Sequence, residues 1–266
     1  MKLNQEKLKQ NLDGKFIGYQ LYYYEEISST NDEAFRLGLA GAPEGTALIA
    51  NSQSAGKGRM QRVWHSPADS NIYTSIILRP QIEPARTPQI SILAGVAVAD
   101  VLESYCPDRI KLKWPNDVLI DGKKVCGILS QVKTTVSEVD FIVLGMGINV
   151  NINYNQLPEE IRNLATSLAM ETGQEVSRLE LIISLYENLT KWYKQLIQNG
   201  FGPIKEKWQS LTPMIGQTVQ VMFGEEEVNG KAIGLDDDGS LILLAAGNKE
   251  FKVSAGDATI IKKGSL

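Results

Sequence analysis

Apolar and polar positions change period several times along this 266-residue chain, and each change predicts an element. Residues 28–38, SSTNDEAFRLG, read as the start of a helix, with Thr30 and Glu33 spaced as a capping box and Asp32 adding negative charge to the first turn. TALIAN at 46–51 predicts a buried strand that runs directly into a loop rich in glycine and arginine. NIYTSIILRP at 71–80 predicts a strand that stops at Pro80. PQISILAGVAVADVLESYC at 88–106 carries Ala, Ile, Val and Leu at helical spacing, which predicts a buried helix. IKLKWPND at 110–117 reads as a short strand ending at Trp114-Pro115.

The Asp121-Gly122 pair between two apolar runs predicts a hairpin, because a type I′ turn needs positive φ. DFIVLGMGINVN at 140–151 is a further apolar strand with a glycine-containing exit. Residues 177–200, SRLELIISLYENLTKWYKQLIQNG, predict a long amphipathic helix closed by Gly200. After Thr212 the chain alternates and turns often, with no helical stretch. That texture predicts a small all-β barrel of about five strands. Two units are therefore expected, 1–211 and 212–266.

Composition narrows the function classes. Hydrophobic residues make up 43% and charged residues 22%, which suits a packed globular protein. No apolar run is long enough to span a bilayer, so no membrane role is expected. The first fifteen residues, MKLNQEKLKQNLDGK, lack the apolar core of a secretory signal. Cys106 and Cys126 make neither a disulfide framework nor a metal spacing, and a cytoplasmic location is expected. The single histidine, His65, excludes a histidine-rich metal site, and no metal ligands are expected in the chain. Catalysis would then work with Lys, Arg, Asp and Asn, or with an ion carried by the substrate.

Two stretches carry candidate chemistry. The first is SAGKGRMQRVW at 54–64, which places Lys57, Arg59 and Arg62 among glycines in a chain of net charge −4. Glycine lets backbone N–H groups approach a ligand closely, and arginine offers a fork for carboxylate or phosphate oxygens. The loop has neither the Walker A order nor a complete dinucleotide fingerprint. A phosphate cradle and a solvated basic turn both fit it. The second is KWPNDVLIDGKKVCGIL at 113–129. Its proline turn could present Asn116 and Asp117 at a strand end, and the hairpin returns Lys124 toward them. A surface ion pair between such residues is the plainer alternative.

Taken together, SSTN at 28–31, QSAGKGRMQRVWHSP at 53–67, KWPNDVLIDGKKVCGIL at 113–129 and GMGINVN at 145–151 resemble the biotin–protein ligase family. The match runs from about residue 20 to 265 in order and spacing. The resemblance implies an α+β fold: a mixed sheet with helices, of the class shared by class II aminoacyl-tRNA synthetases and lipoate ligases, plus a small C-terminal SH3-like β-barrel. It implies that biotin and ATP, with Mg²⁺ on the ATP phosphates, give biotinyl-5′-AMP and pyrophosphate. The biotinyl group then passes to a lysine of a biotin carboxyl carrier domain.

Residue by residue, the resemblance implies that Ser29, Thr30, Asn31 and Gln53 hydrogen-bond the biotin head. Gly56, Lys57, Gly58 and Arg59 would form the closing loop, and Gly127 and Ile128 part of the biotin wall. Arg59 and Lys124 would meet the biotin carboxylate and the α-phosphate. Arg62, Trp64, Asn116 and Asn149 would line the adenylate side, and Asp117 would assist the incoming amine. Lys57 stands where an arginine is common, keeping the charge but not the fork.

Many bacterial members carry an upstream helix-turn-helix domain and act as repressors. Here the match begins almost at the N-terminus, at about residue 20, which leaves no room for such a domain, so no DNA-binding repressor function is expected. No nucleic-acid partner is expected either, given the acidic balance. Family members occur as monomers or as dimers paired through sheet edges, which leaves a homodimer open. Lipoate or octanoyl transfer and a catalytically silent ligand sensor are the rival readings.

Overall fold

The computed structural model describes residues 3–223, 226–245 and 247–261. The outermost residues of the two predicted units, 1–2 and 262–266, and the internal positions 224, 225 and 246 lie outside the described residues. The chain runs α1 (Gln5–Leu12), β1 (Leu21–Ile27), α2 (Thr30–Leu39), β2 (Ala47–Gln53), β3 (Ile72–Leu78) and α3 (Pro88–Leu102). It continues through β4 (Ile110–Lys113), β5 (Asp117–Ile120), β6 (Lys123–Thr134), β7 (Val139–Ile148), α4 (Leu168–Thr172), α5 (Arg178–Asn199) and α6 (Gly202–Leu211). Five short strands follow: β8 (Thr218–Phe223), β9 (Glu226–Leu235), β10 (Leu241–Leu244), β11 (Glu250–Val253) and β12 (Asp257–Ile260).

The first seven strands form one mixed sheet of order β1-β2-β3-β7-β6-β5-β4, in which only β1 and β2 are parallel. Alternate residues of its central strands bury on opposite faces, as the two-residue period of a strand requires. Ala47, Ile49, Ile76, Ile142 and Leu144 join the large core that also contains residues of α3, α5 and α6. Leu48, Ile77 and Val143 instead pack with Ala34 of α2 and Phe141. Covering both faces explains why these strands read as continuous apolar runs rather than as alternation.

The hairpin turn has φ of 47° at Asp121 and 82° at Gly122, the positive pair its sequence predicts. Helix α5 closes at Gly200, where φ is 77°. One local expectation needs correction. Ser29, not Thr30, caps α2: its side chain accepts from the Asp32 N–H, while Thr30 is the first helical residue. Thr30 is thereby released for a tertiary contact, described below. α1, β1 and α6 were not legible in the sequence. α1 buries only Leu8 and Leu12, and β1 is an edge strand with a weak burial pattern, so neither carries a strong period.

The remaining strands make an antiparallel sheet of order β11-β10-β9-β8-β12. It is fastened to the rest of the chain by a shared apolar core, which takes in Val219, Leu235 and Leu241, and by polar contacts. Trp114 Nε1 donates to Gly239 O at 3.2 Å, and Gln89 Nε2 to Asp237 O at 2.5 Å.

Candidate active site

The site lies where the α2 face of the large sheet loses its side chains. Strand register sets two cross-strand rows, Ser75–Gly145–Leu129 and Tyr73–Gly147–Gly127. Paired residues of antiparallel neighbours point to the same face, so the glycines lower the floor locally. A Cβ on Gly145 would overlap Asn31 Oδ1, and one on Gly147 or Gly127 would run into the Trp64 ring. Above this floor stand the start of α2 and the 54–64 loop, enclosing a cavity of about 420 Å³.

One half of the cavity is a network of neutral groups. The Ser75 hydroxyl lies 2.6 Å from Asn31 Oδ1 and 2.8 Å from Thr30 Oγ1. Asn31 Nδ2 donates to Leu129 O at 3.2 Å. The Thr30 N–H and hydroxyl both donate to Gln53 Oε1, at 2.9 and 3.1 Å. Gln53 Nε2 donates in turn to Ser66 Oγ at 3.0 Å, and Ser66 Oγ to Trp64 O at 2.9 Å. Ser29, Thr30, Asn31 and Ser75 are all buried. Buried amides and hydroxyls in fixed orientations discriminate by hydrogen-bond pattern without the desolvation cost of a charge.

The other half is charged. Lys124 Nζ and Asp117 Oδ1 form an ion pair at 2.6 Å, and the ammonium stands 5.4 Å from the centroid of the Trp64 ring. Arg59 Nη1 donates to Asn116 Oδ1 and to Asp257 Oδ1, both at 3.1 Å, and its Nη2 donates to Gly256 O at 3.1 Å. Burial pulls the Arg59 pKa below its usual value, with the carboxylates of Asp257 and Asp117 opposing that shift. Arg62 pairs with the second oxygen of Asp257 at 2.6 Å. Asn116 Nδ2 donates to Ile128 O at 2.7 Å, which fixes the turn after Pro115 against β6.

The structure thus gathers Ser29, Thr30, Asn31, Gln53, Lys57, Gly58, Arg59, Arg62, Trp64, Asn116, Asp117, Lys124, Gly127, Ile128 and Asn149 around one cavity. It places Gly56 just outside. A Cβ there would meet Ser66 Oγ and Trp64 O, so this glycine serves the close crossing of the loop on itself. Lys57 turns back to Asp32 at 2.7 Å. Ser75, Ser66, Gly145 and Asp257 were missed by sequence reasoning. Ser75 had a signal, a hydroxyl inside the apolar run IYTSIIL. Asp257 had none, because it meets Arg59 across 197 intervening positions of chain and a second sheet.

Residues 23–149 match the biotin/lipoate A/B protein ligase family, and residues 214–259 match the biotin protein ligase C-terminal domain. The bifunctional ligase/repressor BirA of Bacillus subtilis is 38% identical over 242 residues, covering 91% of this chain and 74% of its own length. This chain belongs to the biotin protein ligase family. The biotin–[acetyl-CoA-carboxylase] ligase of Mycobacterium tuberculosis is 33% identical over 273 residues, covering 98% of this chain and 96% of its own. Among solved structures, the Aquifex aeolicus biotin protein ligase in complex with biotin and ATP superposes with a TM-score of 0.78 at 29% identity, covering 92% of this chain and all of that one. The first family match takes in the start of α2, the charged loop, the Lys124 hairpin and Asn149; the second takes in Asp257.

Proposed function

We propose that this chain is a biotin–[acetyl-CoA-carboxylase] ligase, activating biotin with ATP and passing it to a lysine of a biotin carboxyl carrier domain. The observation that carries this reading is the division of one cavity into a neutral hydrogen-bonding half and a cationic half. A ligand with an uncharged polar head and a carboxylate tail matches that division.

In the first step a biotin carboxylate oxygen attacks the α-phosphorus of ATP. The bond from that phosphorus to the β-phosphate oxygen breaks, and pyrophosphate leaves. Two anions must approach, and Arg59 and Lys124 offset their repulsion in a water-poor pocket, where Coulombic terms are larger than in bulk water. Each cation already holds an acidic partner, Asp257 for Arg59 and Asp117 for Lys124. The substrate's carboxylate and phosphate oxygens replace those partners. Mg²⁺ enters with the ATP phosphates and supplies further charge neutralisation there. Among the described residues no group of three His, Cys, Asp or Glu side chains stands ready to hold a metal of its own.

In the second step the acceptor amine attacks the acyl carbon of the mixed anhydride. An amide forms, AMP leaves, and the amine gives up a proton, for which Asp117 is the nearest carboxylate to Lys124. Between the steps the 54–64 loop keeps water from the anhydride. Ser29, Thr30, Asn31 and Gln53 bind the head; Gly56, Lys57 and Gly58 shape the loop; Gly127 and Ile128 form the wall. Arg62, Trp64, Asn116 and Asn149 face the nucleotide.

The domains divide at 211/212, between α6 and the strands of the second sheet. A homodimer would pair through an open edge of the large sheet, β1 or β4. A cytoplasmic location is supported by two buried free cysteines, Cys106 and Cys126. No helix among the described residues is long and apolar enough to cross a membrane.

The test is direct. Purified protein with biotin, ATP and Mg²⁺ should release pyrophosphate, retain biotinyl-5′-AMP and label an isolated carrier domain. Pyrophosphate release with lipoate but not with biotin would overturn the substrate assignment.

A further inference from the structure

A lysine ammonium sits at the end of a long flexible stem, so its aim depends on how firmly its main chain is held. Lys124 is held on both sides. Across one edge it pairs with Leu119 of β5. On the other edge β7 has already ended, and residues 164–166 take its place: the Lys124 N–H donates to Leu164 O at 2.8 Å, and the Thr166 N–H donates to Lys124 O at 2.9 Å. Thr166 also holds the second nucleotide-side residue, since Asn149 Nδ2 donates to Thr166 O at 3.0 Å.

Thr166 is itself fixed from outside the cavity. Its fully buried side chain donates to Glu171 Oε1 at 2.6 Å. The other oxygen of Glu171 accepts from Arg109 Nη2. Arg109 Nε donates to Asp121 Oδ2 at 2.7 Å, and the Asp121 N–H returns to Arg109 O at 3.2 Å. Asp121 opens the turn that leads into Lys124. The circuit therefore closes: Lys124 to Thr166, Glu171, Arg109, Asp121, and back along the hairpin to Lys124. Thr166, Glu171, Arg109 and Asp121 do not line the cavity.

We propose that Thr166, Glu171 and Arg109 are positioning residues that set Lys124 and Asn149 against the nucleotide, independently of the contacts that bind the biotin head. This rests on the ligase reading above. The independence follows from the connections. Ser29, Thr30 and Asn31 stand at the N-terminal end of α2, and Gln53 ends β2. Their hydrogen bonds run to Ser66, Ser75 and Leu129 O, none of which joins the circuit. Outer groups of this kind act through placement, and a displacement near 1 Å at a reacting group costs on the order of a hundredfold in rate.

The experiment uses the full chain and three variants: Thr166→Val, which keeps the shape and removes the hydroxyl; Thr166→Ser, which restores it; and Glu171→Gln, which keeps an acceptor for Thr166 but loses the charge facing Arg109. Initial rates of biotin-dependent pyrophosphate release give kcat/KM for ATP, and calorimetry without ATP gives the Kd for biotin. Thr166→Val and Glu171→Gln are expected to lose about tenfold to a hundredfold in kcat/KM for ATP, with a clearly smaller loss of biotin affinity, confined to the contact of Lys124 with the biotin carboxylate, and with Thr166→Ser restoring the rate. Unchanged kcat/KM for ATP in both variants would overturn the inference. So would biotin affinity falling in parallel, which marks general loosening. If the unsubstituted chain itself releases no pyrophosphate with biotin and ATP, the ligase reading fails, and the brace built on it fails with it.

Discussion

Asp257→Ala tests the link between the charged loop and the second sheet. Asp257 lies on β12 and holds both loop arginines, Arg59 at 3.1 Å and Arg62 at 2.6 Å. The two contacts differ in worth. Arg59 and Asp257 are each about three-quarters shielded from water, with side-chain exposures of 22% and 26%, while Arg62 is 67% exposed. A hydrogen bond to a charged group contributes about 1.5–3 kcal/mol, and partial exposure places the Arg59 contact at the low end. The exposed Arg62 pair adds under about 1 kcal/mol. Together they bias the loop toward its docked position by about 2 kcal/mol, or about thirtyfold in its opening equilibrium.

Amide hydrogen exchange reads that equilibrium at three loop bonds: Gly58 N–H to Arg62 O, Arg62 N–H to Arg59 O, and Trp64 N–H to Gly56 O. In Asp257→Ala these amides should exchange about thirtyfold faster, while amides in the middle of β7 keep their rate. Raising the salt concentration should move the unsubstituted protein part of the way toward the variant. Equal loop exchange in the two proteins would refute the reasoning, because the arginines would then contribute nothing to docking.

Three further outcomes follow from the geometry. Lys124→Ala should cut biotin-dependent pyrophosphate release by about 10²–10³-fold, the usual loss for one group facing developing charge, and thermal unfolding should show the chain still folded; undiminished release would remove Lys124 from the chemistry. Gly145→Ala should weaken biotin binding measured by calorimetry, since the new Cβ displaces Asn31 from Ser75 at a cost of about 1–3 kcal/mol; an unchanged Kd would mean that this network does not meet the ligand. Burial pushes the Cys126 thiol well above its usual range. At pH 8 it therefore stays protonated, and native protein should resist iodoacetamide at this position until it is unfolded; rapid labelling followed by peptide mapping would contradict the burial.

The strands and helices with a strong period were legible: the buried runs of β2, β3 and β7, the hairpin turn at Asp121-Gly122, and α5 with its Gly200 stop. Local chemistry suffices for these, because a positive-φ turn or an amphipathic stripe is written in adjacent residues. The cap of α2 is Ser29, one residue before the Thr30 that the sequence pattern predicts. Ser29 and Thr30 have the same local capping chemistry, and only the packing of Gln53 beside the helix start gives Thr30 another acceptor. The cations Arg59 and Lys124 stood out as motif residues, as did the polar run at 28–31.

Which of these residues share a cavity was decided by the tertiary structure. Strand order carries β6 beside β7, and that adjacency brings Gly127 level with Gly147 and opens the floor on which Trp64 rests. Asp257 enters from another sheet, Ser75 from the middle of an apolar strand, and Thr166 from a segment that merely replaces β7 at its end. The sequence determined the local conformations and supplied the charges and hydroxyls, because those depend on neighbours a few residues away. Pairing register and sheet order depend on burial summed over the whole core, so they alone set which distant side chains face one another across the site.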